Sequence, residues 1–245
     1  MQTTVYKRRG NMEILGIQKM TLLDFPGKIA CTVFLGGCNF RCPFCHNGSV
    51  AMGDGAEVMS REEFLDFLRA RRGRLEGVCV SGGEPTLCSD LPDFIRSIRE
   101  MGFAVKLDTN GTRPDMLKGL IDEGLVDYVA MDIKNSPEKY EATAGLSCEE
   151  GIQNRPLIDR IFESASLLME GRVDFEFRTT IVRELHEAED MDAIGRWLGG
   201  EEKFYLQTYR DEGDLLVEGF TPHTDEEKNI LLDTLKKYIP RAKLR

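Results

Sequence analysis

Cys38, Cys42 and Cys45 fall within eight residues of one another in the run Gly36-Gly37-Cys38-Asn39-Phe40-Arg41-Cys42-Pro43-Phe44-Cys45-His46-Asn47. That places three thiolates on one loop, with no fourth partner at ligand spacing. A structural zinc site closes its tetrahedron with paired ligand motifs, whereas a cubane iron-sulfur cluster held by three thiolates leaves one iron open to a substrate or cofactor. The loop therefore reads as a reactive 4Fe-4S site. A lone CxxC fits redox, zinc or accident; three cysteines at this spacing are much harder to reach by chance. Gly36-Gly37 and Pro43 suit a backbone that turns tightly around an inorganic core. The competing readings, a zinc site or an electron-transfer cluster in a binding protein, lack a closing ligand.

A second group of residues carries charge and backbone polarity. Ser81-Gly82-Gly83-Glu84-Pro85 offers two glycines that admit a close neighbour, and a carboxylate suited to an ammonium group. Asp108 and Asp132 are expected at the tips of consecutive strands, where two carboxylates repel unless a cation or shared proton intervenes. Lys134 is one candidate for that cation; a solvated rim is the bland alternative. Arg178, within Phe175-Glu176-Phe177-Arg178, is a charge in mid-strand among apolar neighbours, which calls for a carboxylate partner in the interior.

Elements that position these residues alternate along the chain. Strand patterns occupy residues 29–35, 77–81, 104–108, 128–133, 174–182 and 203–209. Amphipathic helices fill the intervals. Ser60 to Glu63 forms a capping box ahead of Phe64, Phe67 and Leu68, and Leu91, Phe94, Ile95, Ile98 and Met101 keep helical spacing. Leu117, Leu120 and Ile121 mark a third helix, Ile158, Ile161, Ala165 and Leu168 a fourth, and Met191, Ile194, Trp197 and Leu198 a fifth. Thr224 caps a sixth, carrying Ile230, Leu231 and Leu235. Strands separated by helices require right-handed crossovers and a parallel sheet. Six such units without a dinucleotide glycine fingerprint make an α/β fold, a partial (β/α)6 barrel, with a doubly wound sheet as the alternative. In both, functional groups gather at the carboxyl ends of the strands. The cysteine loop, Gly82 to Glu84, Asp108 to Asn110, Asp132 to Lys134 and Tyr209-Arg210 all follow strand ends.

The 245 residues are 41% hydrophobic and 30% charged, an ordinary balance for one large core. Residues 1–11 read as a flexible leader and 12–245 as one domain, with Met12 an alternative start. No apolar stretch approaches the about 20 residues needed to span a bilayer, and the N-terminus lacks a signal-peptide core. A formal charge of -10 argues against a nucleic-acid footprint. An oxidising compartment would destroy the cluster, so the cytoplasm is the default. Of seven cysteines, Cys31 and Cys79 read as buried strand residues, while Cys88 and Cys148 lack the spacing for a second cluster.

C-x3-C-x2-C, with the aromatic Phe44 before its last cysteine, resembles the signature of the radical S-adenosylmethionine (radical SAM) enzymes. The stretch Leu22-Leu23-Asp24-Phe25-Pro26-Gly27-Lys28-Ile29-Ala30-Cys31-Thr32-Val33-Phe34-Leu35, running into the cysteine loop and His46-Asn47, resembles the activating proteins of anaerobic ribonucleotide reductases and other glycyl-radical enzyme activases. Asp108-Thr109-Asn110-Gly111 and Met131-Asp132-Ile133-Lys134 add motifs shared with pyruvate formate-lyase activases. The resemblance implies a radical SAM core in which Cys38, Cys42 and Cys45 bind the 4Fe-4S cluster. Phe44, Cys45 and His46 would lie against the adenine of S-adenosyl-L-methionine. Gly82, Gly83 and Glu84 would hold the methionine amine, and Asp132, Ile133 and Lys134 would contact ribose and carboxylate; Arg178 and Arg210 are added as cofactor-binding candidates on their charge and place in the chain. Asp108, Thr109 and Asp132 match positions that hold a monovalent cation in the formate-lyase activases. After the sixth strand the chain departs from them, carrying Arg210 in place of a histidine. The implied activity is reductive cleavage of the sulfonium to a 5'-deoxyadenosyl radical, which generates a glycyl radical on a partner such as anaerobic ribonucleotide reductase, with flavodoxin or a ferredoxin as reductant. A radical enzyme acting on a small molecule, a nucleoside or organic acid, is the alternative.

Overall fold

The computed structural model describes residues 12–146, 156–200, 202–211 and 213–245. The proposed leader and Cys148 lie outside these residues. One sheet organises the rest, with strands in sequence order: β1 (Ile14–Thr21), β2 (Ala30–Leu35), β3 (Gly77–Gly82), β4 (Ala104–Thr109), β5 (Tyr128–Asp132), β6 (Asp174–Ile181), β7 (Phe204–Thr208) and β8 (Lys243–Leu244). The pairs from β2 to β8 are all parallel, and β1 runs antiparallel along β2. Because β1 and β8 remain edges, the sheet is not closed. The six expected strands are β2 to β7, the partial barrel; the edge strands are additions that the alternating pattern did not show.

Helices α1 (Gly48–Met52), α2 (Arg61–Arg69), α3 (Leu91–Glu100), α4 (Pro114–Asp122), α5 (Tyr140–Thr143), α6 (Leu157–Met169), α7 (Ala188–Leu198) and α8 (Asp225–Lys236) connect the strands. The capping boxes at Ser60 and Thr224 form as expected, each pairing the cap hydroxyl with a backbone N–H three residues on and a glutamate with the cap N–H. Glu187 and Asp190 make a third at α7. The apolar stripes of α2, α3 and α4 face the core. The α6 stripe Ile161, Ala165 and Leu168 is buried as expected, with Ile158 partly buried and Leu157 added to it, whereas in α8 Ile230 is 53% exposed while Leu231, Leu232 and Leu235 are buried. Consecutive leucines and isoleucines let the helical period be drawn one residue out of phase, and only packing against the sheet fixes it.

The interior is partly polar. Below the strand tips, Glu176 of β6 accepts from Tyr128 Oη at 2.8 Å and pairs with Arg245 at 2.7 Å. Glu176 and Arg178, two apart on β6, share one face of the strand, and the site at the other end uses the same alternation.

Candidate functional site

At the carboxyl ends of the strands, Cys38, Cys42 and Cys45 border one cavity of about 260 Å3. The cysteine loop is fixed by its backbone. Gly37 and Cys38 donate to the Val50 and Ala51 carbonyls at 2.8 Å, Cys45 donates to Cys42 O at 3.0 Å, and the Arg41 guanidinium binds the Cys38 and Phe40 carbonyls at 2.6 and 2.7 Å. A strap after β7 holds the loop from outside. Asp214 N donates to His46 O at 3.2 Å, its carbonyl accepts from Gly48 N at 2.7 Å and its carboxylate from Ser49 N at 2.6 Å, while Val217 N reaches Pro43 O at 3.0 Å. Burial pushes the Cys38 thiol up to about 12 and the Cys42 thiol up to about 11. Cys31 and Cys79 are buried within strands, as expected.

The turn after β3 is docked on the cysteine loop. Gly83 N donates to Leu35 O at 2.9 Å and Glu84 N to Gly37 O at 2.8 Å. Gly82 has a φ of +127°, and a Cβ on Gly83 would lie 2.1 Å from Gly37 O. The glycines thus admit the cysteine loop's own backbone. Glu84, 3% exposed, accepts through Oε1 from Thr86 and from the Thr109 hydroxyl at 2.8 Å, and through Oε2 from Asn110 N at 2.6 Å. Burial pushes its carboxyl up against these four donors, which pull the other way. Its side chain braces the β3 turn against the end of β4.

Asp108 and Asp132 meet at Arg178. The guanidinium Nε and Nη2 are both 2.8 Å from Asp132 Oδ1, and Nη1 is 3.5 Å from Asp108 Oδ2. Sheet register brings this about, pairing Asp132 with Arg178 directly. Lys106, 1% exposed, pairs with Asp108 Oδ1, Ser81 donates to Oδ2 at 3.0 Å, and Lys134 Nζ lies 3.1 Å from Asp132 Oδ2. Burial pushes the Asp108 carboxyl up, but Arg178 and Lys106 outweigh it and hold the group at about 2. Asp132 is lowered in the same way, against burial, by Arg178 and Lys134.

Of the residues expected in the site, Phe44, Cys45 and His46, Gly82 to Glu84, Asp108 and Thr109, and Asp132, Lys134 and Arg178 all border the cavity. Ile133 is fully buried and contributes backbone, its N–H donating to Arg178 O at 2.8 Å. Arg210 is exposed, beyond the end of β7, and does not border the cavity, which Gln207 reaches. His46 packs against Tyr209, ring centroids 5.4 Å apart, and Phe44 meets His186 edge-on at 6.4 Å. Thr109 turns to Glu84 and away from the two acids. Ser81, Lys106, Asn110, Thr180 and Gln207 went unnoticed as individual site residues; the period of two along each strand, extended from Asp108 and Arg178, marks Lys106 and Thr180.

The profile of the radical SAM superfamily matches residues 32–198. The chain belongs to the radical SAM superfamily. It is 32% identical over 237 residues to a candidate glycyl-radical enzyme activating enzyme of Methanocaldococcus jannaschii, a match covering 95% of both chains. It is also 32% identical over 162 residues to the pyruvate formate-lyase-activating enzyme of Listeria monocytogenes, covering 60% of this chain and 62% of that enzyme. Among solved structures, Streptococcus suis SuiB bound to S-adenosylmethionine superposes with a TM-score of 0.63 at 14% identity, over 85% of this chain and 48% of SuiB. The enzyme anSMEcpe with bound AdoMet gives 0.57 at 16% identity, over 83% and 58%. The chain thus spans about half the length of these two, and the likeness concerns the fold. Radical SAM membership makes the chain an enzyme of a class that uses a 4Fe-4S cluster and S-adenosylmethionine.

Proposed function

We propose that this radical SAM enzyme activates a glycyl-radical partner such as anaerobic ribonucleotide reductase, whose activating proteins the stretch Leu22 to Leu35 resembles. The observation that carries the reading is the convergence of the three-cysteine loop with the β3 turn and the β5 end on one cavity, in a chain whose relative of nearly equal length carries the same assignment. The residues present fit both groups. Cys38, Cys42 and Cys45 would hold the cluster; the Gly82 to Glu84 main chain and Lys134 would hold the methionine end of the cofactor, with Phe44 and His46 beside its adenine. Bound there, the pair would supply one-electron reductive cleavage of the sulfonium, a chemistry that belongs to the cofactors rather than to any side chain. Around it the chain orients: Arg178 and Lys134 are held at the cavity by Asp132, with Asp108 and Lys106 beside them, and Lys134 would meet the cofactor's carboxylate. A flavodoxin or ferredoxin of the cytoplasm would deliver the electron. Among the described residues no helix is long and apolar enough to cross a membrane.

The donors do not fit a monovalent cation at Asp108, Thr109 and Asp132. Each carboxylate oxygen of the two acids already has a cationic or hydroxyl partner, and Thr109 is bonded to Glu84. Cofactor affinity is therefore expected to be the same with potassium, sodium or neither, by isothermal titration. The small-molecule alternative lacks one of the cations it would use at the cavity, since Arg210 is exposed and does not border it. Anaerobic reconstitution tests the proposal: the reduced protein should yield 5'-deoxyadenosine from S-adenosylmethionine, and Cys42→Ala should lose both iron and product. A colourless zinc protein without cluster absorbance would overturn it.

A further inference from the structure

The loop after β4 reaches back to one of the cluster cysteines. Asn110, 5% exposed, directs one amide hydrogen of Nδ2 to Asn39 Oδ1 at 2.9 Å and the other toward Cys38 Sγ at 4.0 Å, the long end for a sulfur acceptor. The amide cannot be flipped, because its Oδ1 accepts from Thr112 N at 3.0 Å and from the Thr112 hydroxyl at 2.7 Å. Asn39 Nδ2 in turn donates to Thr112 Oγ1 at 2.9 Å, closing a ring of three side chains beside the sulfur. Thr112 is fully buried. A second donor, Phe40 N at 3.3 Å, belongs to the loop backbone, so Asn110 is the side chain that can be changed. We propose that Asn110 is a positioning residue that sets the reduction potential of the cluster through Cys38, with Asn39 and Thr112 holding its amide in aim. An N–H directed at a ligating thiolate stabilises the added negative charge of the reduced cluster more than the oxidised one, and so raises the potential. The inference rests on Cys38 ligating the cluster, as proposed above.

The test is a redox titration of the reconstituted protein, monitored by electron paramagnetic resonance, alongside iron and sulfide content and a thermal melt. Asn110→Leu keeps the branched shape and the number of side-chain heavy atoms and removes the donor; the cluster should load as in the wild type and become three- to tenfold harder to reduce, tenfold being about 59 mV for a one-electron couple. Asn110→Asp, which turns an acceptor toward the sulfur, should shift further in the same direction. Thr112→Val removes the hydroxyl that bonds both Asn110 and Asn39 while leaving the Thr112 N–H bond to Asn110 Oδ1, loosening the amide without altering Asn110; it should give a smaller shift, and it decides the matter if the Asn110 variants do not load. Variants with wild-type iron and unchanged potential would overturn the inference while leaving the cluster in place. A wild-type chain that takes up no iron would overturn the underlying assignment, and this inference with it.

Discussion

Arg178 joins two acids that neither neighbour it in sequence nor lie on one strand. Its need for a carboxylate is legible from a charge set among Phe175, Phe177 and a buried strand; which carboxylate is not, because sheet register chooses the partner. Arg178→Met should destabilise the fold by about 2–3 kcal/mol in urea unfolding, below the usual cost of breaking a buried pair because Lys106 and Lys134 stay and Asp132 is 30% exposed. The same pair gives the protein an acid limit. Asp108 titrates at about 2 when folded, against 3.8 ordinarily, so the unfolded chain binds more protons between these values. The stability it contributes, about 2 kcal/mol, is complete above about pH 5 and is lost as the pH falls through about 4 to 2. In Arg178→Met this acid loss should shrink, because the folded carboxyl moves back toward its ordinary value. An acid-unfolding curve identical to wild type would contradict the pairing.

The turn after β3 and the cysteine loop form one unit, since each supplies the other's backbone partners. Glycines at 82 and 83 were legible as a place of close approach, but the sequence does not say what approaches. A ligand and a neighbouring loop demand the same absence of a Cβ, and the structure shows the loop. Gly83→Ala should leave the sheet intact by circular dichroism while displacing the turn, with cofactor affinity at least about tenfold weaker, roughly 1.4 kcal/mol. Wild-type affinity in a correctly folded variant would mean that the docking is incidental. The strap through Asp214 and Val217 left no trace in the sequence pattern, because it is held by main-chain bonds in a segment without apolar periodicity.

Across the whole molecule, the repeated strand and helix pattern was enough to place the site, since a parallel sheet collects its functional loops at one end. What periodicity did not give are the two edge strands. β1 is antiparallel and mostly exposed along its later half, and β8 has two residues, so neither carries a pattern long enough to read. An open sheet leaves the strand ends accessible to a segment of another protein, and the central claim is that such a segment carries a glycine that loses hydrogen to the cofactor-derived radical. The direct measurement is isotopic. The reduced, reconstituted enzyme is incubated with S-adenosylmethionine and an anaerobic ribonucleotide reductase whose glycines are deuterated at the α-carbon, and the 5'-deoxyadenosine formed is analysed by mass spectrometry. The expected result is deuterium in the 5'-deoxyadenosine, rising in step with a glycyl radical on the partner; cleavage of the cofactor with no deuterium transferred and no protein radical would contradict the claim.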